Sequence, residues 1–173
     1  IMPADYNATK KLVARAAEYY GPVYLRFTRD PIPVFYGEDE EFEIGKGKLI
    51  KEGRDISLIA IGDALHQAIE AANELEKQGV SVELIDMHTL KPLDMELIDR
   101  TVSKTGKIIT VEDHNILNGL GSAVADVLAE RGKGIMRKVG LKDRYAESGD
   151  YYKLLEKYEM DSKYVLKMAE ELL

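Results

Sequence analysis

Apolar and polar positions fall into two periodic regimes separated by a stretch with no period. In the first regime Leu12, Val13, Ala16 and Ala17 recur at helical spacing behind Asp5 or Asn7 as a cap, and Gly21-Pro22 ends the helix. Val23 to Thr28 (VYLRFT) then alternates apolar with polar and carries aromatics, which predicts a strand ending at Arg29. Across 31–41 the pattern vanishes. Pro31, Pro33 and Gly37 break regular structure, and Glu38, Asp39, Glu40 and Glu41 form an acidic run. Those features predict an extended, solvated, self-repelling linker, with contact to a basic partner as the alternative.

Regular structure resumes beyond the linker. Phe42 to Lys51 reads as an edge strand, and Ile56 to Ile61 as a strand covered on both faces. Asp63 is placed to cap a helix striped by Leu65, Ala68, Ile69, Ala72 and Leu75, which Gly79 ends. A strand over Val80 to Ile85 follows. Lys91-Pro92-Leu93-Asp94 opens the next helix, with Asp94 as cap and Leu93 stapled to Ile98, and Gly106 closes it. A buried strand (Ile108, Ile109, Val111) then leads into a polar loop from Glu112 to Asn118. Gly119 and Gly121 open a helix bearing Leu120, Val124, Val127 and Leu128. A strand near Met136 to Leu141 and helices near Tyr151 to Tyr158 and Ser162 to Leu173 complete the chain. Such alternation predicts an α/β domain with a mostly parallel sheet. The single helix and strand before the linker are too little for a domain and read as the tail of a preceding one. The opening Ile1-Met2-Pro3, without an initiator methionine, is what a piece of a longer protein would show.

Composition narrows the chemistry. A net charge of −7 argues against a nucleic-acid surface, and no apolar run approaches the ~20 residues of a membrane span. Zero cysteines exclude disulfides, thiolate metal sites and a cysteine nucleophile, and fit a reduced, cytoplasmic setting. His66, His88 and His114 are scattered, none with a partner at ligand spacing, and His66 reads as surface. Glu112-Asp113-His114, at the end of a strand, could do acid/base work or could brace the following helix, the simpler reading. Gly119-Leu120-Gly121 falls short of a dinucleotide turn, because Val124 stands at the third glycine position. Arg29, where the chain turns into prolines, suits bidentate capture of phosphate or an ion pair with the acidic linker. Arg26 lies on the same predicted strand. No self-contained active site emerges.

The phrases GPVYLRFTRDPIP, FEIGKGKLIKEG, IAIGDALHQAIEAANEL, HTLKPLD, TVEDHNILNGLGSAVADVLAE and DRYAESG occur in this order. Together they resemble the C-terminal part of thiamine-diphosphate-dependent transketolases, especially the split type whose halves are separate polypeptides. The resemblance implies a three-layer α/β/α C-terminal domain over 42–173, with a mixed, mostly parallel five-stranded sheet whose first strand is antiparallel. Residues 1–30 would close a pyrimidine-binding domain, and 31–41 would link the two. It further implies two-carbon ketol transfer between sugar phosphates in the assembled parent, with thiamine diphosphate and Mg2+ held largely elsewhere. The N-terminal half and a further copy of the chain are the implied partners, and this chain alone would be inactive. Arg29 matches the family arginine that holds the substrate phosphate. No catalytic, cofactor or metal residue transfers to this chain. Alternatives are a non-catalytic assembly module, or the equivalent region of a 1-deoxyxylulose-5-phosphate synthase or a 2-oxo acid dehydrogenase β subunit.

Overall fold

The long apolar run Ile56 to Ile61 lies where its composition demands, buried along its whole length in the middle of a sheet. A computed structural model describes residues 1–173. Its elements are α1 (Tyr6–Glu18), β1 (Lys48–Lys51), β2 (Ile56–Ile61), α2 (Ala64–Lys77), β3 (Val82–Asp86) and α3 (Met95–Thr105). These are followed by β4 (Lys107–Asn115), α4 (Leu120–Arg131), β5 (Ile135–Leu141), α5 (Tyr151–Lys157) and α6 (Ser162–Glu170). The strands run β1-β3-β2-β4-β5, and only β1 is antiparallel to its neighbour. The α/β class and the mixed sheet of five strands are as expected.

Successive side chains of a strand face opposite layers, and the two cores follow that rule. Ile56, Leu58 and Ala60 pack with Leu65, Ala68, Val165 and Met168 under α2 and α6. Ile59 and Ile61 point the other way, to Ile98, Val102, Val124 and Val127 of α3 and α4. Asp94 caps α3 by accepting from Leu97 N at 3.1 Å, and Gly106 takes the left-handed conformation that ends it. Leu93 packs on the cluster that holds Ile98, as a staple should.

Before the sheet, three expectations change. Asp5, one of the two expected caps, caps α1, but the buried residues of the helix are Ala8 and Leu12, with Val13 exposed. Val23 to Thr28 is extended but forms no ladder strand. A strand needs a partner, and here only Ile1 supplies one: Ile1 N donates to Tyr24 O and Arg26 N to Ile1 O. The edge strand is confined to Lys48–Lys51, because Phe42 turns inward onto Tyr36 (ring centroids 4.9 Å apart) and 44–45 forms a turn.

The acidic stretch is solvent-exposed at Glu38, Asp39 and Glu41, as expected, but it is tied down rather than free. Tyr36 and Phe42 are buried in the same core as α1. Glu41 pairs with Lys11 at 2.8 Å and Arg15 at 3.1 Å, and Glu40 pairs with Lys48. The basic partners belong to the same chain, so at Glu40 and Glu41 attraction offsets the self-repulsion expected from the run.

Tyr36 is fastened through its hydroxyl, which donates at 2.9 Å to Asp86, a fully buried carboxyl at the end of β3. Burial raises the Asp86 pKa to about 7. The Tyr36 hydrogen bond and Lys48 oppose the rise, and Asp5 adds to it. A carboxyl whose folded pKa is raised keeps its proton longer in the native state than in the unfolded chain. Its contribution is therefore fully present below about pH 4 and is lost as the pH rises toward 7. Asp86→Asn, which mimics the protonated form, should flatten this part of the stability profile. Denaturant midpoints measured at pH 5 and pH 8 would show it, and an unchanged difference between them would refute the assignment.

Candidate functional site

In open α/β sheets, ligands bind outside the carboxyl ends of the strands, where the strand order reverses. Here that point lies between β2, which runs on into Gly62-Asp63, and β4, whose last residues include Asp113-His114. The chain's own amino-terminal arm fills it. Met2 N donates to His88 O at 2.9 Å, and the Met2 side chain covers Gly62 so closely that a Cβ there would overlap it. The Arg26 guanidinium donates to the Asp113 carbonyl at 2.5 Å and to its carboxylate at 3.2 Å. What remains is a cleft of ≈ 350 Å³ bounded by Met2, Tyr24, Arg26, Leu90, His114 and Asn118.

Glu112 decides what this edge can bind. β4 runs past the predicted loop start to Asn115, with its ladder to β5 irregular between Val111 and Asn115. Gly140 lets the displaced backbone come close, since a Cβ there would meet His114 O at 2.8 Å. The irregularity aims Glu112 at the start of α4, where its two oxygens accept from Leu120 N at 2.7 Å and Gly121 N at 2.8 Å. A helix start with free N–H groups is a ready anion site, and this one is occupied by the chain's own carboxylate. Gly119 has no room for a Cβ because Glu112 Oε2 lies there. A diphosphate does not fit, which gives the glycine pair its packing role. Burial pushes the Glu112 carboxyl above its usual range, opposed by the same two backbone bonds. The bracing reading of Glu112 holds.

The remaining candidates resolve one by one. Asp63 is buried but makes no side-chain cap. Its backbone is already helical, and its Oδ2 instead accepts from the Tyr151 hydroxyl at 2.9 Å. Burial pushes its carboxyl up, and nearby Asp113 adds to that. His88 is buried edge-on to Phe42, where desolvation and then Lys48 lower its pKa to about 4, so it is neutral. His66 is half-buried rather than simply surface, with Nε2 3.2 Å from the carbonyl of Ala4. His114 is exposed at the cleft and lies 2.8 Å from its neighbour's carbonyl, Asn115 O. Nowhere do three His, Asp or Glu side chains come together as a metal-binding set.

Arg29 stands apart from this cluster, exposed at the end of the arm. Arg29 forms no ion pair with the acidic run, of which Glu40 and Glu41 are held by Lys48, Lys11 and Arg15. The contact that sequence reasoning left out is Arg26 with Asp113, 87 residues away. No local pattern announces it. The only hint is a charged residue within an otherwise apolar and aromatic alternation.

Residues 45–165 match the family model described as transketolase, C-terminal domain, more than half of the chain. The chain belongs to the transketolase C-terminal domain family. A protein described as a transketolase C-terminal section from Methanocaldococcus jannaschii is 40% identical over 99% of this chain and 54% of its own length. The 6-deoxy-6-sulfo-D-fructose transketolase subunit SqwH of Clostridium sp. (strain MSTE9) is 36% identical, covering 98% of this chain and 52% of that protein. A 1-deoxy-D-xylulose-5-phosphate synthase of Heliobacterium modesticaldum is also 36% identical, over 98% of this chain but 27% of that enzyme.

Among solved structures, a split-gene transketolase in an inactive β4 tetramer superposes with TM-score 0.95 at 40% identity, covering 99% of this chain and 56% of the other. A transketolase point mutant from Pichia stipitis gives 0.74 at 19% identity over 98% of this chain and 24% of that one, a likeness of fold. The chain thus spans about half the length of the split transketolase relatives it matches.

Proposed function

We propose that this chain is the carboxyl-terminal region of a split-type transketolase subunit, acting in two-carbon ketol transfer between sugar phosphates. The observation that carries the reading is its superposition along 99% of its length on a split-gene transketolase. In this reading residues 1–30 complete a pyrimidine-binding domain, 31–41 link it, and 42–173 form the C-terminal domain. Tyr20, Tyr24 and Phe27, all exposed on the arm, face the rest of the first domain. The complementary N-terminal half and a second copy of the chain complete the enzyme. Self-association has support from the β4 assembly of the structural relative. Thiamine diphosphate and Mg2+ bind mainly through residues outside this chain, and the cofactor supplies the carbanion chemistry when bound. The setting is cytoplasmic.

Arg29 supplies the grip on the substrate's phosphate. Arg15, Arg26 and Lys48 are engaged in ion pairs, whereas Arg29 is exposed and forms none. A charge-assisted hydrogen bond contributes about 1.5–3 kcal/mol, so Arg29→Ala should raise KM for phosphorylated substrates about ten- to a hundredfold. The assay is ketol transfer by the full-length subunit combined with its complementary half, thiamine diphosphate and Mg2+. An unchanged KM rejects the role of Arg29. Formation of 1-deoxyxylulose 5-phosphate in place of ketol transfer would favour the synthase reading, which has a relative of equal identity behind it.

A further inference from the structure

We propose that Arg26 and Asp113 form a clasp that positions Arg29, so that the C-terminal domain tunes phosphate affinity without touching substrate. The inference rests on the phosphate-binding reading of Arg29 given above.

Arg29 lies on a span of chain with few ties. Upstream, the arm is fixed at Tyr24 and Arg26 by two backbone bonds to Ile1 and by the guanidinium on Asp113. Downstream, the next firm anchor is at Phe35 and Tyr36, whose N–H groups each donate to Asp5 at 2.7 Å. Between them the side chains add one long contact, Thr28 Oγ1 to Asp30 O at 3.4 Å. Arg26 is three residues from Arg29, about 10 Å of extended chain, and is the nearer anchor.

The far side of the clasp is rigid. Asp113 sits between Glu112, locked onto the start of α4, and His114, whose carbonyl abuts Gly140. The pair also has the wrong character for a stabilising device. Both side chains are about a third exposed (35% each), and ion pairs in such positions contribute roughly 0–1 kcal/mol. Its geometry is nonetheless specific, because one guanidinium grips a carbonyl and a carboxylate of the same residue. Little stability and much orientation is what a positioning pair offers, and small displacements of a binding group can cost one to two orders of magnitude in efficiency.

The test uses the full-length subunit with its complementary half, thiamine diphosphate and Mg2+. Acceptors are an aldose phosphate and the same aldose without its phosphate. Arg26→Met should raise KM for the aldose phosphate about tenfold, leaving kcat and the KM for the plain aldose within about twofold. Arg26→Lys should recover part of the loss. In an Arg29→Ala background, Arg26→Met should add nothing. Should Arg26→Met fail to assemble, Asp113→Asn, which retains the carbonyl contact, is expected to show a weaker shift of the same kind. If Arg29→Ala loses phosphate preference while the Arg26 and Asp113 variants keep it, the clasp is refuted and the role of Arg29 stands. Equal KM changes for both aldoses would mark the pair as merely structural and also refute it. If Arg29→Ala has no phosphate-dependent effect, the underlying reading fails, and the inference with it.

Discussion

Replacing Glu112 with alanine is expected to lower the unfolding free energy by about 3–5 kcal/mol. The carboxylate is 2% exposed and is the acceptor for two buried donors, Leu120 N and Gly121 N. Each buried N–H left without a partner costs about 1–3 kcal/mol, and the start of α4 loses its compensating negative charge as well. Gly119→Ala should be nearly as damaging for a related reason. The new Cβ takes the place of Glu112 Oε2, so the carboxylate must leave its donors. Gly119 has φ −106°, which alanine adopts without strain, so backbone preference is not the cause. The two changes act on one interaction and should be strongly non-additive. Gly119→Ala in the Glu112→Ala background should cost little, about 1 kcal/mol or less. Urea unfolding of the four proteins measures this cycle, and additive losses would show that the carboxylate is not what fills the glycine's space.

Asp5→Ala is expected to cost about 3 kcal/mol and to free the acidic segment from the sheet. Asp5 is 1% exposed and serves three donors at once: Ala8 N at 2.8 Å, and Phe35 N and Tyr36 N at 2.7 Å. Losing the cap alone costs about 1 kcal/mol, and the stranded amide of buried Tyr36 adds about 1–3. Helix capping by itself would predict only the smaller loss and no change beyond α1. Hydrogen exchange separates the two accounts. The Tyr36 amide should exchange much faster in Asp5→Ala, and continued protection there would mean that the segment is held by something else.

Asp5 also marks where the sequence was readable and where it was not. That it could cap a helix was visible from position alone, because capping is a contact across three residues. Its grip on Phe35 and Tyr36 spans about thirty positions and leaves no periodic trace. The same division runs through the chain. Ile56 to Ile61, Asp94 and Gly106 carry their signals within a few residues, and the structure places them as read. Asp63 had a cap's position but not its backbone conformation. Phe42 belonged to an apparent strand pattern, yet an aromatic partner in the linker drew it inward. At the site, Glu112 was legible as a brace because its donors are the next turn's amides. Arg26 was visible only as a charge, since its partner comes from a distant strand.

The junction at 31–41 has a mechanical consequence. A true hinge is a few residues that swing freely, with little holding the bodies on either side together. Here the arm and the sheet are sewn to one another on both flanks of the segment: Met2 over Gly62, Arg26 on Asp113, Asp5 on Tyr36 and Tyr36 on Asp86. Swinging about 31–41 would break all four together, so residues on either side travel as one body. Any movement within a protein containing this chain is then expected across other seams, with the arm and the sheet displaced together.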